Sequence, residues 1–301
     1  MNNLRIGSRG SQLALWQSNH IAGLLRAAGH TVSLTIIKTT GDRLQEGVTF
    51  AQVGSKGMFT KEIEEALAAG EIDLAVHSLK DLPTELPAPF VLAATPPRVD
   101  PRDALVSAKF TSLAALPQGA TVGTSSLRRQ SLLRALRPDI QAVEFRGNVD
   151  TRLRKLSEGQ VDAILLAAAG LDRLDKAEWV RERFSPEQMC PAAGQGSLAI
   201  EARKGDAATA AALAFLDDPA TRFATTAERT ALAALGGGCQ VPIGIHCQAV
   251  EGAYEILGAV AEPAGSRLLR ARATGTDAIE IGTKVASELL AMGAADLVGN
   301  I

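Results

Sequence analysis

Short apolar strands that run straight into turns carrying arginine recur along this chain, and that pattern limits the folds open to it. Gly123-Thr124-Ser125-Ser126-Leu127-Arg128-Arg129-Gln130 follows a short apolar strand and opens a helix. Arg146 follows Ala142-Val143-Glu144-Phe145, and Arg152 lies in the next helical stretch. Arg173 follows Ala163-Ile164-Leu165-Leu166-Ala167, and Arg9 follows Leu4-Arg5-Ile6-Gly7. Strand-to-helix turns of an α/β sheet converge on one edge, where ligands bind. Arginines gathered there beside helix N-termini make a pocket for a ligand rich in carboxylates or phosphates. The plainer reading, solvated faces and helix caps, suits Arg134, Arg137, Arg154, Arg181 and Arg183.

The same alternation organises the rest of the chain. Residues 4–7, 32–37 and 73–77 read as strands and 11–28 and 58–69 as helices, which predicts an α/β fold around a largely parallel sheet. The proline-rich stretch 96–103 and Cys190-Pro191-Ala192-Ala193-Gly194-Gln195-Gly196 read as two crossovers. The chain then leaves a first lobe and returns to it, giving two lobes about a hinged cleft. The expected boundaries are 1–97 with 197–216 for domain 1, 102–190 for domain 2 and 220–301 for a small α+β domain 3. Domain 3 begins with an alanine-rich helix stopped at Gly236-Gly237-Gly238. No internal sequence repeat is visible.

Composition removes several function classes. The net charge of −2 offers no basic field for nucleic acid, and 4% aromatic residues leave little for base stacking. Three cysteines are too few for a disulfide framework. The N-terminus has no apolar signal region and no run is long enough for a bilayer, so a cytoplasmic, reduced protein with no membrane partner is expected.

Two residues stand out for chemistry. Asp81, in Ser78-Leu79-Lys80-Asp81-Leu82-Pro83, ends a buried strand. A lone carboxylate there can accept a proton or stabilise a cation; it can equally shape the turn or pair with Lys80. Cys239 follows three glycines that leave its side chain uncrowded. It suits a thiol carrying a covalent group, a small buried thiol, or a ligand with His246 and Cys247; without a CxxC pair, no metal site is expected. His77 reads as a hydrogen-bonded core residue rather than a base.

Together these segments resemble the porphobilinogen deaminase family. The resemblance is carried by Arg5-Ile6-Gly7-Ser8-Arg9-Gly10-Ser11-Gln12-Leu13-Ala14-Leu15, Gly54-Ser55-Lys56-Gly57-Met58-Phe59-Thr60-Lys61-Glu62 and Val76-His77-Ser78-Leu79-Lys80-Asp81-Leu82-Pro83. It continues through 123–130, Phe145-Arg146-Gly147-Asn148-Val149-Asp150-Thr151-Arg152, 168–174, Gly194-Gln195-Gly196 and 237–244. It implies two periplasmic-binding-protein-like (type II) lobes plus a C-terminal domain. It also implies a covalent dipyrromethane cofactor on Cys239, made from the substrate porphobilinogen. By the same resemblance Asp81 is the catalytic carboxylate, and Lys80, Ser126, Arg128, Arg129, Arg146, Arg152 and Arg173 bind the cofactor. Ser8, Arg9 and Gln195, with Arg146, Arg152 and Arg173, bind substrate. Lys56 and Phe59 belong to a lid, and the enzyme works as a monomer. A two-lobed receptor for a polyanion is the competing reading; it leaves Asp81 and Cys239 without a task.

Overall fold

The computed structural model describes residues 1–43, 60–237 and 241–298. Among them the strands are, in chain order, β1 (Asn3–Ser8), β2 (Thr31–Ile36), β3 (Leu74–Ser78), β4 (Phe90–Ala94), β5 (Asp103–Val106), β6 (Thr121–Gly123), β7 (Gln141–Val143), β8 (Ala163–Ala167), β9 (Val180–Arg183), β10 (Leu198–Arg203), β11 (Ile243–Val250), β12 (Ala253–Ala261) and β13 (Leu268–Gly275). The chain divides into two compact units, Met1–Arg98 with Ser197–Arg222, and Val99–Gly196 with Phe223–Ile301.

The first unit holds a sheet of order β2-β1-β3-β10-β4. β1 lies parallel to β2 and β3, while β10 runs antiparallel to both β3 and β4. Four strands therefore share a direction and one, returning from the second crossover, opposes them. The helix Gln12–Ala27 is capped by Ser11, whose side chain accepts the Ala14 N–H, and it buries Ile21, Ala22 and Leu25 in the core formed by Leu4, Ile6, Val76 and Ile200. Ile21 and Leu25 each contribute about 1.5–3 kcal/mol by leaving water. The helix Lys61–Ala68 places Ile63, Ala66 and Leu67 in a second core with Ile72 and Ala75. Alternate residues of β3 thus serve the two cores, as the period-2 geometry of a strand requires.

The second unit holds a sheet of order β7-β6-β8-β5-β9. β6 is parallel to β7 and β8, and β5 opposes both β8 and β9. With β5 as the opposing strand, this repeats the first sheet: second, first, third, opposing, fourth. The two lobes are related by topology, although no sequence repeat announces it. β4 has no counterpart among the sequence expectations; Phe90-Val91-Leu92-Ala93-Ala94 is a short apolar run whose periodicity alone is ambiguous.

The same unit carries the antiparallel sheet β11-β12-β13. The helix Ala278–Ala291 packs Ile281, Val285, Ala286 and Leu289 into its core, joined by Ala224, Ala227 and Ala231 of the helix Pro219–Ala234. Contacts knit this sheet to the second lobe: Ala261 lies in the core with Leu132 and Leu133, and Arg134 Nη1 donates to the Pro263 carbonyl at 2.7 Å.

Gly244 on β11 faces Cys190, and a Cβ there would collide with the Cys190 backbone carbonyl and Cβ. Gly244→Ala should therefore destabilise the protein by about 1–3 kcal/mol, as overpacking does. Thermal unfolding should show a melting temperature lowered by roughly 2–4 °C per kcal/mol. An unchanged melting curve would mean that the Cys190 segment gives way without cost.

Candidate active site

Parallel strands deliver their C-terminal ends to one edge of a sheet. In the second lobe the turns after β6, β7 and β8 therefore bring Arg128 and Arg129, Arg146 and Arg152, and Arg173 to the same side. β5 runs the other way, with Asp103 opposite Ala167 of β8. Its first residue consequently arrives at that edge as well.

Asp103 is fully buried and organises the two neighbouring arginines. Arg128 Nη1 donates to Asp103 Oδ2 at 2.6 Å and to the Cys190 carbonyl at 2.6 Å. Arg129 donates to Asp103 Oδ1 from Nε at 2.9 Å and from Nη2 at 2.7 Å, and to the Leu165 carbonyl from Nη1 at 3.1 Å. Burial works to raise the Asp103 pKa, but the charges of Arg128 and Arg129 outweigh it and hold the carboxyl well below its ordinary value. Ser126 caps the helix Leu127–Leu136, its Oγ accepting the Arg129 N–H at 3.4 Å.

The other arginines sit on neutral oxygens or at the rim. Arg152 donates from Nε to the Gly147 carbonyl at 2.8 Å and from Nη2 to Ser125 Oγ at 3.2 Å. Arg173, at the end of the helix Ala168–Arg173, donates from Nη2 to the Gly196 carbonyl at 2.8 Å. Burial pulls both guanidinium groups down to about 10, and the charge of Arg129 adds to the effect on Arg152. Both remain cationic at neutral pH, and cations in such surroundings gain from carboxylate ligands. Arg146 pairs through Nε with Glu144 Oε1 at 2.5 Å.

Gln195, expected among the substrate-binding residues, is fully buried. Its Nε2 donates to the Pro101 carbonyl at 2.7 Å and to Asp103 Oδ1 at 2.9 Å, so it braces the arginine cluster. Ser8 is likewise fully buried, with its hydroxyl donating to the carbonyls of Arg9 and Ala14. Arg134, Arg137, Arg154, Arg181 and Arg183 make contacts of the structural kind, such as Arg183 with Asp100 and Asp172.

In the first lobe the same edge carries Arg9, partly exposed after β1, and the 3-10 turn Leu79–Asp81 after β3. The Leu79 N–H is held by the Ser197 carbonyl at 3.0 Å, and Gln17 Nε2 donates to Ser78 Oγ at 2.8 Å. The turn is thus anchored from two sides while Asp81 is exposed and Lys80 partly so. His77 is buried on Glu201, with Nε2 and Oε2 3.0 Å apart, a hydrogen-bonded core group as the sequence suggested. Cys190 and Cys247 are buried, and burial pushes the Cys190 thiol up to about 12. Cys239, Lys56 and Phe59 lie outside the described residues.

Sequence reading missed Asp103 and Ser125. The available signal for Asp103 was an acidic residue heading the wholly apolar strand Ala104-Leu105-Val106. Nothing in the sequence singles out Ser125 from Ser126.

Comparison with known proteins decides what this edge belongs to. A family model described as "Porphobilinogen deaminase, dipyromethane cofactor binding domain" matches residues 4–211. A second, "Porphobilinogen deaminase, C-terminal domain", matches residues 223–291. The chain belongs to the porphobilinogen deaminase family. It is 50% identical over 298 residues to the porphobilinogen deaminase of Thiobacillus denitrificans, covering 98% of this chain and 97% of that one. Against the Roseiflexus castenholzii porphobilinogen deaminase the identity is 51% over 296 residues, with 97% of each chain covered. The Brevibacillus brevis protein of the same name is 47% identical over 304 residues, covering 100% of this chain and 98% of its own.

The deaminase-family edge has an acid-sensitive brace. At Asp100, burial opposes ionisation, but hydrogen bonds from Arg102 and Arg183 prevail and lower the carboxyl to about 2. A carboxylate with a depressed folded-state pKa stabilises the protein above its unfolded value near 4 and ceases to do so as pH falls through the folded value. The melting temperature should therefore hold above about pH 5 and fall between about pH 4 and 2. Asp100→Asn should remove part of that fall; the same acid curve in the variant would show that Asp100 is not involved.

Proposed function

We propose that this chain is a transferase that joins four porphobilinogen molecules, with loss of ammonia, onto a covalently held dipyrromethane and releases hydroxymethylbilane by hydrolysis. The observation that carries the reading is the second lobe's edge: Arg128 and Arg129 buried on the carboxylate of Asp103, with Arg152 and Arg173, partly buried or buried, delivered to the same side. That donor set fits a ligand rich in acetate and propionate side chains. Planar guanidinium forks match carboxylates better than ammonium groups do.

Bound dipyrromethane would supply the priming pyrrole, whose free α-carbon is the nucleophile. Cys239 would hold it through a thioether, consistent with the other two cysteines being buried. Arg128, Arg129, Arg146, Arg152 and Arg173, with Lys80 and Ser126, would hold pyrrole carboxylates in place. Arg9 would add a further cation for the substrate's own carboxylates. Asp81 would act on charge and protons: loss of ammonia and formation of the new bond both place positive charge on a pyrrole nitrogen. An exposed carboxylate on a firmly anchored turn is suited to stabilise that charge and to accept the proton. The working form is taken as a cytoplasmic monomer, with three domains in the order read from the sequence.

Intact mass under denaturing conditions tests this, for wild type and Cys239→Ser, before and after porphobilinogen is added. The wild type should carry two pyrrole units that survive denaturation and extend stepwise, and the variant should carry none. Asp81→Asn should lower the rate of ammonia release by roughly 10²–10⁴-fold, the usual contribution of a positioned acid or base. A wild-type mass equal to that of the bare chain and unmoved by substrate would overturn the reading.

A further inference from the structure

The two lobes build the same seam from different residues. In the first lobe the rung nearest the ligand edge sets Ser78, the last residue of β3, opposite Leu198, the first of β10. In the second it sets Ala167, the last of β8, opposite Asp103, the first of β5. Counted inward from those rungs, His77 corresponds to Leu166 and Glu201 to Val106. Leu166 and Val106 are buried together in an apolar core. His77 and Glu201 are equally buried, yet they are an imidazole and a carboxyl, with Nε2 and Oε2 3.0 Å apart. The other carboxyl oxygen, Glu201 Oε1, is buried with no hydrogen-bond partner among the described residues. Glu64, on the helix Lys61–Ala68, is a second acid at this place: burial raises its carboxyl above the ordinary value, the charge of Glu201 adds to that, and the charge of His77 opposes it.

A buried pair with an unsatisfied oxygen is a poor way to stabilise a sheet, and well-packed apolar residues of similar volume do as well or better. The second lobe shows that this topology accepts them. Side chains that break such a rule without a gain in stability mark functional positions. What stands next to this pair is the turn that carries Asp81. Ser78 alone separates His77 from Leu79, whose N–H is held by the Ser197 carbonyl at 3.0 Å, and Glu201 lies on the strand that Ser197 leads into. His77 is opposite Ala199 and Glu201 opposite Ala75, so the tie between them runs diagonally across the ladder. The backbone bonds of an antiparallel pair lie perpendicular to the strands. A diagonal brace resists the shear that such rungs resist least.

We propose that His77 and Glu201 are a positioning pair for the reaction: their hydrogen bond braces β3 against β10 just inward of the anchored turn and fixes where the Asp81 carboxylate stands. This rests on the reading of Asp81 given above.

Replacing the pair by His77→Leu with Glu201→Met keeps the volumes and removes the polar tie. The expected outcome is cooperative unfolding with a melting temperature at or above that of wild type, and a KM for porphobilinogen close to wild type. The kcat for ammonia release, per cofactor-bearing chain counted by intact mass, should fall about tenfold to a hundredfold, the cost of a misplaced reacting group. The acid limb of the kcat–pH profile should move as well. A pair that only holds the sheet together would alter the melting temperature and leave kcat and the pH profile as in wild type; that result overturns the proposal. Wild-type protein assayed in parallel separates the two failures, because a wild type that releases no ammonia sinks the polymerising reading itself.

Should the paired replacement fail to fold, Glu201→Gln decides by two further measurements. In an Asp81→Asn background it should lower kcat no further, since the pair acts through Asp81; losses that multiply would overturn the proposal. In aspartate-labelled Cys239→Ser protein, which needs no cofactor, Glu201→Gln should shift the Asp81 carboxyl carbon signal, identified by its loss in Asp81→Asn. An Asp81 signal indifferent to Glu201→Gln would overturn it equally.

Discussion

Strands β5 and β10 run against their neighbours, and the functional edge of each lobe depends on that reversal. A parallel strand arrives at the ligand-binding edge with its last residue. An opposing strand arrives there with its first, bringing whatever the crossover carries. In the second lobe this places Asp103 beside the turns that bear the arginines. In the first it places Ser197 against the turn that presents Asp81. The reversal lets residues from the crossovers reach sites that a purely parallel sheet would fill with strand ends alone.

The electrostatics of the second lobe follow from having one buried carboxylate among several buried or partly buried cations. Removing a charge from water costs several kcal/mol, and a buried pair only about recovers that cost when its remaining donors are also bonded. Asp103 meets this condition with two arginines and the Gln195 amide. Its pairs therefore contribute geometry more than net stability, although breaking a buried pair costs about 3–5 kcal/mol. The neutral Gly147 carbonyl on Arg152 satisfies a hydrogen bond without cancelling charge, and burial together with the charge of Arg129 works against this cation. A carboxylate ligand at this edge would relieve that cost.

Much of this was legible in the sequence because it is local. The N-cap Ser126, the arginines after β6 to β8 and the turn Leu79–Asp81 are each set by a few consecutive residues. Helices 12–27 and 219–234 follow from periodicity and their flanking caps. What escaped reading depends on residues far apart in the chain. Asp103 looks like an ordinary loop acid beside Pro101 and Arg102 until β5 is laid against β8. Gln195 and Ser8 sit in family motifs, yet their burial is set by strands outside those motifs. The topological repeat of the two lobes was invisible for the same reason: strand order is a property of pairing, and the paired segments share no sequence pattern.

The position of β10 has a consequence for synthesis on the ribosome. It lies between β3 and β4 in the first sheet, yet it is made only after the whole second lobe. Until then β3 and β4 have no strand between them, and each presents an unpaired edge, a template for association with other chains. The second lobe, contiguous from Val99 to Gly196, has every strand of its sheet in hand as soon as that stretch emerges. Domains generally fold as units while the chain is being made, and non-local pairings come slowly. The N-terminal lobe is therefore the one completed late, and nascent chains halted before Leu198 are the species most exposed to aggregation and to chaperone capture.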